Sequence, residues 1–479
     1  MRQIIPLTFL LIAGCTVGPD YSRLEPGLAR PYLHAAAIDA RTSDTDWWGG
    51  FDDPLLVTLI ARATAGNTDV AQAKARIEQS RATARAAGAA FLPSLDATGG
   101  VTTVSQSRDT AIGRVTQVLG VGRGYTEYAV GSQASWELDL FGGLRRGREA
   151  ARDDLRASEA AAAGAALAVA AETADAYLAL RGLQARLAVA ADQERNEALL
   201  TGLVRQRFDQ GIEAERELNR ATGALEGVRA TMPPLRAGIE AEMNRIDVLL
   251  GEQPGTNRSA LLVRSAVSVA PMPAGSAAPT DLLRRRPDVI AAERRLAAST
   301  ARIGVAIADY YPRLSLSGLI GVASLGTGNL VTGNAVQASG GTGLRWRLFD
   351  FGRVDAEVAS ARGRQAEALA AWRGAILTAA ADVETSLARL GEAKAQRADL
   401  ERQVAALGHA RTQAQDAYVG GVVGLIEVTS ANRDLLAASD QLAAVQSDET
   451  RAAVAAYRAL GGGWDGGSSA LASPARGHR

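Results

Sequence analysis

Two periodicities share this chain. The first is helical and very long. From Leu144 to Arg207 there is no proline in 64 residues; one unbroken α-helix of that length would span about 96 Å. Arg353 to Asp416 is also proline-free and carries a seam with 3-4 spacing. One position reads Leu369, Ile376, Val383, Leu390, Arg397, Val404; its companion reads Trp372, Ala379, Ser386, Ala393, Leu400, Leu407. Such spacing predicts supercoiled helix packing. Arg397 and the many alanines make a lone two-stranded coiled coil a poor fit, and a helix flanked by two neighbours in a barrel wall a better one. Turns at Gln210-Gly211 and Gly420-Gly421 reverse the chain. Return helices are predicted to Leu250 and Leu460, the first interrupted at Pro233-Pro234. Shorter helices are predicted over Asn67–Ala90 and Asp288–Ala308, ended by Pro93 and Pro312, since proline lacks an N–H and restrains the residue before it.

The second periodicity is two. Tyr128, Val130, Ser132, Ala134, Trp136, Leu138 and Leu140 alternate with Ala129, Gly131, Gln133, Ser135, Glu137 and Asp139. Leu314, Leu316, Gly318, Ile320 and Val322 repeat the pattern, as do Leu344, Trp346 and Leu348. One apolar and one mostly polar side, with Gly/Ser/Thr turns between segments, fits strands of a membrane β-barrel with a polar lumen. An antiparallel hairpin on a soluble core would carry the same alternation.

These elements occur twice. Asp69-Val70 and Pro93 recur as Asp288-Val289 and Pro312, 219 residues on. Trp136, Phe208, Gly211 and Leu250-Gly251 recur as Trp346, Tyr418, Gly421 and Leu460-Gly461, 210 residues on. The nine-residue change falls between Pro93 and Trp136, inside the first hairpin, where loops tolerate insertion. The chain therefore divides into a signal peptide (1–14), a lipidated N-terminal segment (15–66), a first repeat (67–251), a linker (252–280), a second repeat (281–464) and a disordered tail (465–479).

The start of the chain bears on location. Arg2, the apolar run Ile4 to Ile12 and Ala13-Gly14-Cys15 read as an export signal. Leu11-Ile12-Ala13-Gly14-Cys15 resembles a lipobox, with Cys15 as the thiol that takes a diacylglycerol. An ordinary signal peptide with an incidental cysteine is the alternative. Cys15 is the only cysteine, so no disulfide forms within the chain. Thr16 follows it, where an Asp would favour inner-membrane retention; export to the outer membrane is expected. No other stretch has 18 or more consecutive apolar residues, so any further spanning element would be a closed β-barrel.

Composition mainly excludes. With 52 basic and 52 acidic side chains, no net field draws the chain to nucleic acid. Aromatics are only 5%, while alanine is abundant and favours close helix packing. Three histidines, at 34, 409 and 478, are too scattered for a metal site. Gly461-Gly462-Gly463 follows no strand and reads as a helix terminator, not a phosphate loop. Arg284-Arg285-Arg286-Pro287 reads as a solvated face or a carboxylate partner. No cofactor and no enzyme chemistry are expected.

Cys15-Thr16-Val17-Gly18-Pro19-Asp20-Tyr21, then Asp281-Leu282-Leu283-Arg284-Arg285-Arg286-Pro287-Asp288-Val289, then Ala301-Arg302-Ile303-Gly304-Val305-Ala306 resemble the signatures of NodT-type outer-membrane efflux lipoproteins. These belong to the TolC-like outer-membrane factor family. The resemblance implies an α+β membrane protein: a homotrimer with four strands per protomer in a transmembrane β-barrel, and long helices in a periplasmic α-barrel. It implies a passive exit duct for small molecules in a tripartite efflux or secretion system. Its partners would be a periplasmic adaptor, an inner-membrane transporter of the resistance–nodulation–division type, and outer-membrane lipid. It also implies a gate near the second turn, at Tyr418, Glu427 and Ser430. Ser430 stands where many relatives carry a second Asp, and Val423 where some carry a basic latch, so a second charged ring and that latch are not expected. Packing between helices for Tyr418, and a solvated face for Glu427, remain open. The turns Gly211-Ile212 and Gly421-Val422 are the expected adaptor contacts. A pore-less stalk of helical hairpins is the alternative function; it would not need the β-alternation. A periplasmic adaptor would carry one helical hairpin, not two.

Overall fold

The structure, a computed structural model, describes residues 16–25, 32–34, 47–263 and 285–462. The signal peptide, Cys15, most of the linker and the C-terminal tail lie outside the described residues. In chain order the elements are α1 (Pro54–Gly66), α2 (Thr68–Ala89), β1 (Ser94–Ser105), α3 (Ala111–Val118), β2 (Gly124–Leu138), α4 (Gly143–Asp209), α5 (Glu215–Leu249) and α6 (Arg258–Leu261). They continue as α7 (Pro287–Ala308), β3 (Arg313–Ser324), β4 (Val336–Arg345), α8 (Arg353–Val419) and α9 (Leu425–Ala459). The chain divides into two compact units. One comprises residues up to Arg23, Glu78–Arg156 and Glu293–Ala370; the other Leu24–Ile77, Ala157–Ala292 and the chain from Ala371 onward.

The first unit is built on one antiparallel sheet in the order β1-β2-β3-β4. Its register turns four separate alternations into two continuous faces. Leu95 lies opposite Ala134, Val130 opposite Val322, Trp136 opposite Leu316, Leu314 opposite Leu344 and Val322 opposite Val336. Asp96, Thr98, Glu127, Gln133, Ser315, Ser317, Gln337 and Ser339 occupy the other face. A one-residue slip on any strand would mix the two. The apolar face is bare: Leu95 is 73% exposed, Ile320 64% and Leu344 68%.

Seven of the nine extra residues of the first hairpin fall between β1 and β2, where the eight-residue helix α3 stands; the rest lengthen the paired strand. The predicted alternation through Leu344, Trp346 and Leu348 ends early. The ladder stops at Arg345 opposite Arg313, and the Trp346 indole instead donates to Tyr310 O at 2.9 Å. Trp136 makes the matching bond to Phe91 O at 2.8 Å. Each indole satisfies a carbonyl just beyond a helix C-terminus.

Residues 16–23 strap onto this unit. Val17 N donates to Phe141 O at 3.1 Å. The buried Arg146 guanidinium donates to Val17 O and Gly18 O and pairs with Asp20 at 2.6 Å. Tyr21 Oη donates to Glu293 at 3.1 Å. Gly18 has φ +94°, and a Cβ there would sit 2.4 Å from Gly304 Cα. Here two backbones meet where no side chain fits.

The second unit is a helical core. Trp47 and α1 residues Leu56, Leu59 and Ile60 pack with Tyr177, Leu178 and Leu180 of α4, Met243 and Ile246 of α5, Val383 and Leu387 of α8, and Tyr457 of α9. Trp47 stacks on Tyr457 with ring centroids 5.2 Å apart. Asp53 caps α1 through Leu55 N and Leu56 N, and also accepts from Tyr177 Oη at 2.6 Å. The α8 seam is the buried side: Trp372, Ile376, Ala379, Val383, Ser386, Leu390 and Leu400 are all inside. Arg397, the break in that seam, pairs with buried Glu449 at 2.9 Å. Arg286 of the Arg-Arg-Arg-Pro run is a carboxylate partner: it pairs with Asp288 at 2.8 Å and Asp382 at 3.0 Å, and donates to Ala459 O, the last residue of α9. One window of α4 is long and apolar enough to cross a membrane by composition, but 61% of it is buried against neighbouring helices.

A second sequence expectation is corrected. Pro233 and Pro234 do not interrupt the return helix; α5 runs through them. Both prolines lie on the exposed side, between buried Met232 and Leu235. The carbonyls they leave unpaired, of Arg229 and Ala230, belong to exposed residues and can bond water. Packing on either side offsets the loss.

Candidate functional site

Apart from Cys15, which lies outside the described residues, the residues singled out for function lie at or beside two turns of the second unit. Residues 210–214 join α4 to α5, and 420–424 join α8 to α9. Each long helix ends in the same left-handed glycine cap. Gly211 and Gly421 both have φ +72°. Ile212 N bonds Arg207 O at 2.9 Å, and Val422 N bonds Ala417 O at 2.8 Å. This six-to-one bond is the Schellman closure. A Cβ on either glycine would meet nothing within 4 Å, so the requirement is backbone conformation alone. The apolar residue after each glycine points out: Ile212 is 61% exposed and Val422 80%. Val419 and Ile426 extend the exposed apolar surface of the second turn.

Tyr418 faces the other way. It is buried in a cluster with Leu200, Val204, Leu218, Ala221, Leu425 and Val428. Its hydroxyl donates to Glu213 Oε1 at 3.0 Å. The Arg207 guanidinium lies 5.1 Å from its ring centroid and 3.6 Å from the Glu213 carboxylate. Burial, and then the Glu213 carboxylate, push the Tyr418 hydroxyl up to about 12. The result is a clasp between the end of α8 and the first turn.

Glu427 and Ser430 are not brought to Tyr418. They lie one turn apart on the exposed side of α9, while Val428 and Thr429 face inward. Their first-half counterparts explain their character. Glu217 is nearly buried and pairs with Arg216 at 2.8 Å and Arg220 at 3.4 Å. At the matching second-half positions stand Ile426 and Ser430. Glu427 thus makes no ion pair among the described residues and presents a free carboxylate.

Sequence reasoning missed two features. Arg207 and Glu213 complete the clasp, yet their second-half counterparts, Ala417 and Val423, are apolar. Comparing the halves residue by residue would have marked both. Farther along α4, Glu197 is buried and accepts from Asn432 at 2.8 Å and Gln193 at 3.0 Å. Its other oxygen has no partner. Burial raises its pKa above the ordinary carboxylate value, against the lowering effect of the two amides. The signal was a lone acid in the heptad run Leu183, Ala190, Glu197, Val204. Among the described residues no cluster of His, Cys, Asp and Glu could hold a metal ion.

Comparison with known proteins identifies the family of the chain. The family model described as outer membrane efflux protein matches residues 59–252 and 278–462. The pyoverdine export outer membrane protein OpmQ of Pseudomonas aeruginosa is 31% identical over 478 residues, covering 97% of each chain. Nodulation protein T of Rhizobium leguminosarum bv. trifolii is 29% identical over 469 residues, covering 97% of this chain and 98% of that one. The solved structure of the outer-membrane channel OprN superposes with a TM-score of 0.86 at 33% identity, over 94% of this chain and all of that one. These matches take in sheet and helices alike, and the chain belongs to the outer membrane efflux protein family: it is a TolC-like outer-membrane factor, an efflux channel and not an enzyme.

Proposed function

We propose that three copies of this chain form one passive exit duct for small molecules. The sheet of each copy supplies a third of a twelve-stranded membrane barrel, and the long helices supply a periplasmic wall. The observation that carries this reading is the two-faced sheet. Its apolar face is exposed and matches lipid, its polar face matches a water-filled lumen, and β1 and β4 each have one edge without a strand partner. Open edges are not tolerated in hydrocarbon, so a sheet of this character must close with further copies. The near-repeat of each half makes six similar wall segments in three chains, with the halves at 67–251 and 281–464 and a linker between.

The free Glu427 carboxylate, set beside Ser430, supports a ring of three charges at the inner end of the lumen, held shut by the Tyr418 clasp. The exposed Ile212 and Val422 beside their glycines support docking of a periplasmic adaptor, which would couple the duct to an inner-membrane transporter of the resistance–nodulation–division type. An acyl chain on Cys15 would anchor the chain in the outer membrane. The strap supports this: Thr16 lies against Gly142, between the end of β2 and the start of α4.

The test is conductance of the purified protein in a planar bilayer. Discrete steps of one size class are expected, with cations favoured. A detergent-stable protein that inserts without conducting under any condition would leave the duct reading without support.

A further inference from the structure

The two free sheet edges carry an unmatched charge each. Asp96 on β1 and Arg345 on β4 are both exposed, and both lie on the polar face. Neither side chain makes a hydrogen bond or ion pair among the described residues. The position of Arg345 is awkward within one chain: its register partner is Arg313, a like charge directly across the ladder. Arg313 has its own carboxylates, Asp309 and, at 3.9 Å, Glu137.

We infer that Arg345 pairs with Asp96 of a neighbouring copy across the β4–β1 seam, and that this pair sets the register in which the barrel closes. The inference rests on the proposed trimeric barrel and deepens it. Three constraints converge. First, the strands must run antiparallel with faces matched, so only every second register is allowed; a one-residue slip would turn the lipid face of one strand into the lumen. Second, every backbone group on both edges needs a partner in hydrocarbon, so the overlap must be as long as the strands permit. Setting Asp96 opposite Arg345 runs the ladder to Ser105 opposite Val336, which uses all of β4, a strand of 10 residues. Sliding two residues so that Ser94 faces Arg345 also uses all of β4. Third, charge decides between these two. Only the first register puts carboxylate and guanidinium directly opposite, where cross-strand pairs are closest. The second leaves them diagonal. Three such pairs would circle the lumen, one per seam.

The test uses the full-length chain, whose one native thiol is Cys15. Asp96→Cys with Arg345→Cys, in a Cys15→Ser background, is expected to give disulfide-linked species up to a covalent trimer on non-reducing gels. Ser94→Cys with Arg345→Cys is the register control and is expected to link far less. Independently, Asp96→Arg and Arg345→Asp are each expected to lower the temperature at which the trimer dissociates in mild detergent, and the double exchange to restore it. A trimer that forms normally, links preferentially through 94 and 345, and shows no loss or rescue on charge exchange overturns the seam assignment and leaves the duct standing. Absence of any trimer in the unsubstituted protein overturns the duct reading itself.

Discussion

Removing one oxygen from the Tyr418 clasp should bias the duct toward opening. Tyr418→Phe keeps the ring inside its apolar cluster, and Phe208 at the matching first-half position, packed against the same cluster, shows that a Phe suits such a setting. What is lost is the 3.0 Å bond to Glu213. A hydrogen bond to a charged group contributes about 1.5–3 kcal/mol. Glu213 keeps Arg207 at 3.6 Å and is partly reached by water, so the lower end applies. About 1.4 kcal/mol corresponds to a tenfold shift in an equilibrium. If opening breaks one clasp per chain, each lost clasp favours the open state by roughly tenfold, and in the proposed trimer three act together. The measurement is closed dwell time in single-channel recordings, with thermal midpoint as the control. Shorter closed dwells with little change in midpoint are expected. Unchanged dwell times in an intact trimer would refute the reasoning, because the clasp would then survive opening or play no part in closure. The same bond has a pH signature. The folded-state value of Tyr418 is raised above 10.0 to about 12. Its contribution is therefore complete below the ordinary tyrosine value and is lost only as pH climbs toward about 12.

Three further outcomes follow from particular side chains. Arg286→Met should lower folding stability by about 2–3 kcal/mol in denaturant titration, at or below the low end for a broken buried pair, because Asp288 and Asp382 are each half-exposed; Arg286→Lys should not rescue it, since one ammonium cannot reach both carboxylates and the Ala459 carbonyl. Glu197→Gln should remove a pH dependence. Its folded-state pKa is raised, so the wild type gains stability as pH falls through that raised value toward the ordinary carboxylate value; the variant should be the more stable at neutral pH, with the gap closing on acidification, and parallel melting curves at all pH values would contradict this. Glu427→Gln should weaken cation preference in reversal-potential measurements, by roughly fivefold if a passing ion comes within about 4 Å in water; unaltered selectivity would show that this carboxylate does not line the path.

How much of this was legible in the sequence varies with the range of the interactions involved. The strand alternation around Trp136 and Ile320 and the proline-free runs of α4 and α8 follow from local patterns, and the structure has strands and helices there. Proline misled at Pro233-Pro234 because its local cost was outweighed by Met232 and Leu235 packing on either side. Alternation misled at Trp346 because a strand lasts only as long as its partner, and β3 begins at Arg313. At the second turn, the glycine caps of Gly211 and Gly421 were readable from spacing, since a left-handed residue after a long helix needs no distant partner. The Tyr418–Glu213 bond was not, since it joins residues 205 apart in the chain.

By itself, then, the amino-acid sequence determined the periodicities, the near-repeat, the caps and the family, because each depends on residues a few places apart or on matches along the chain. Tertiary structure alone decided that four alternating strands share one apolar and one polar face, that Arg397 and Arg286 meet carboxylates, that Tyr418 turns inward while Glu427 stays free, and that Asp96 and Arg345 are left on open edges. Register and packing bring distant residues to within a few ångströms, and no local pattern carries that distance.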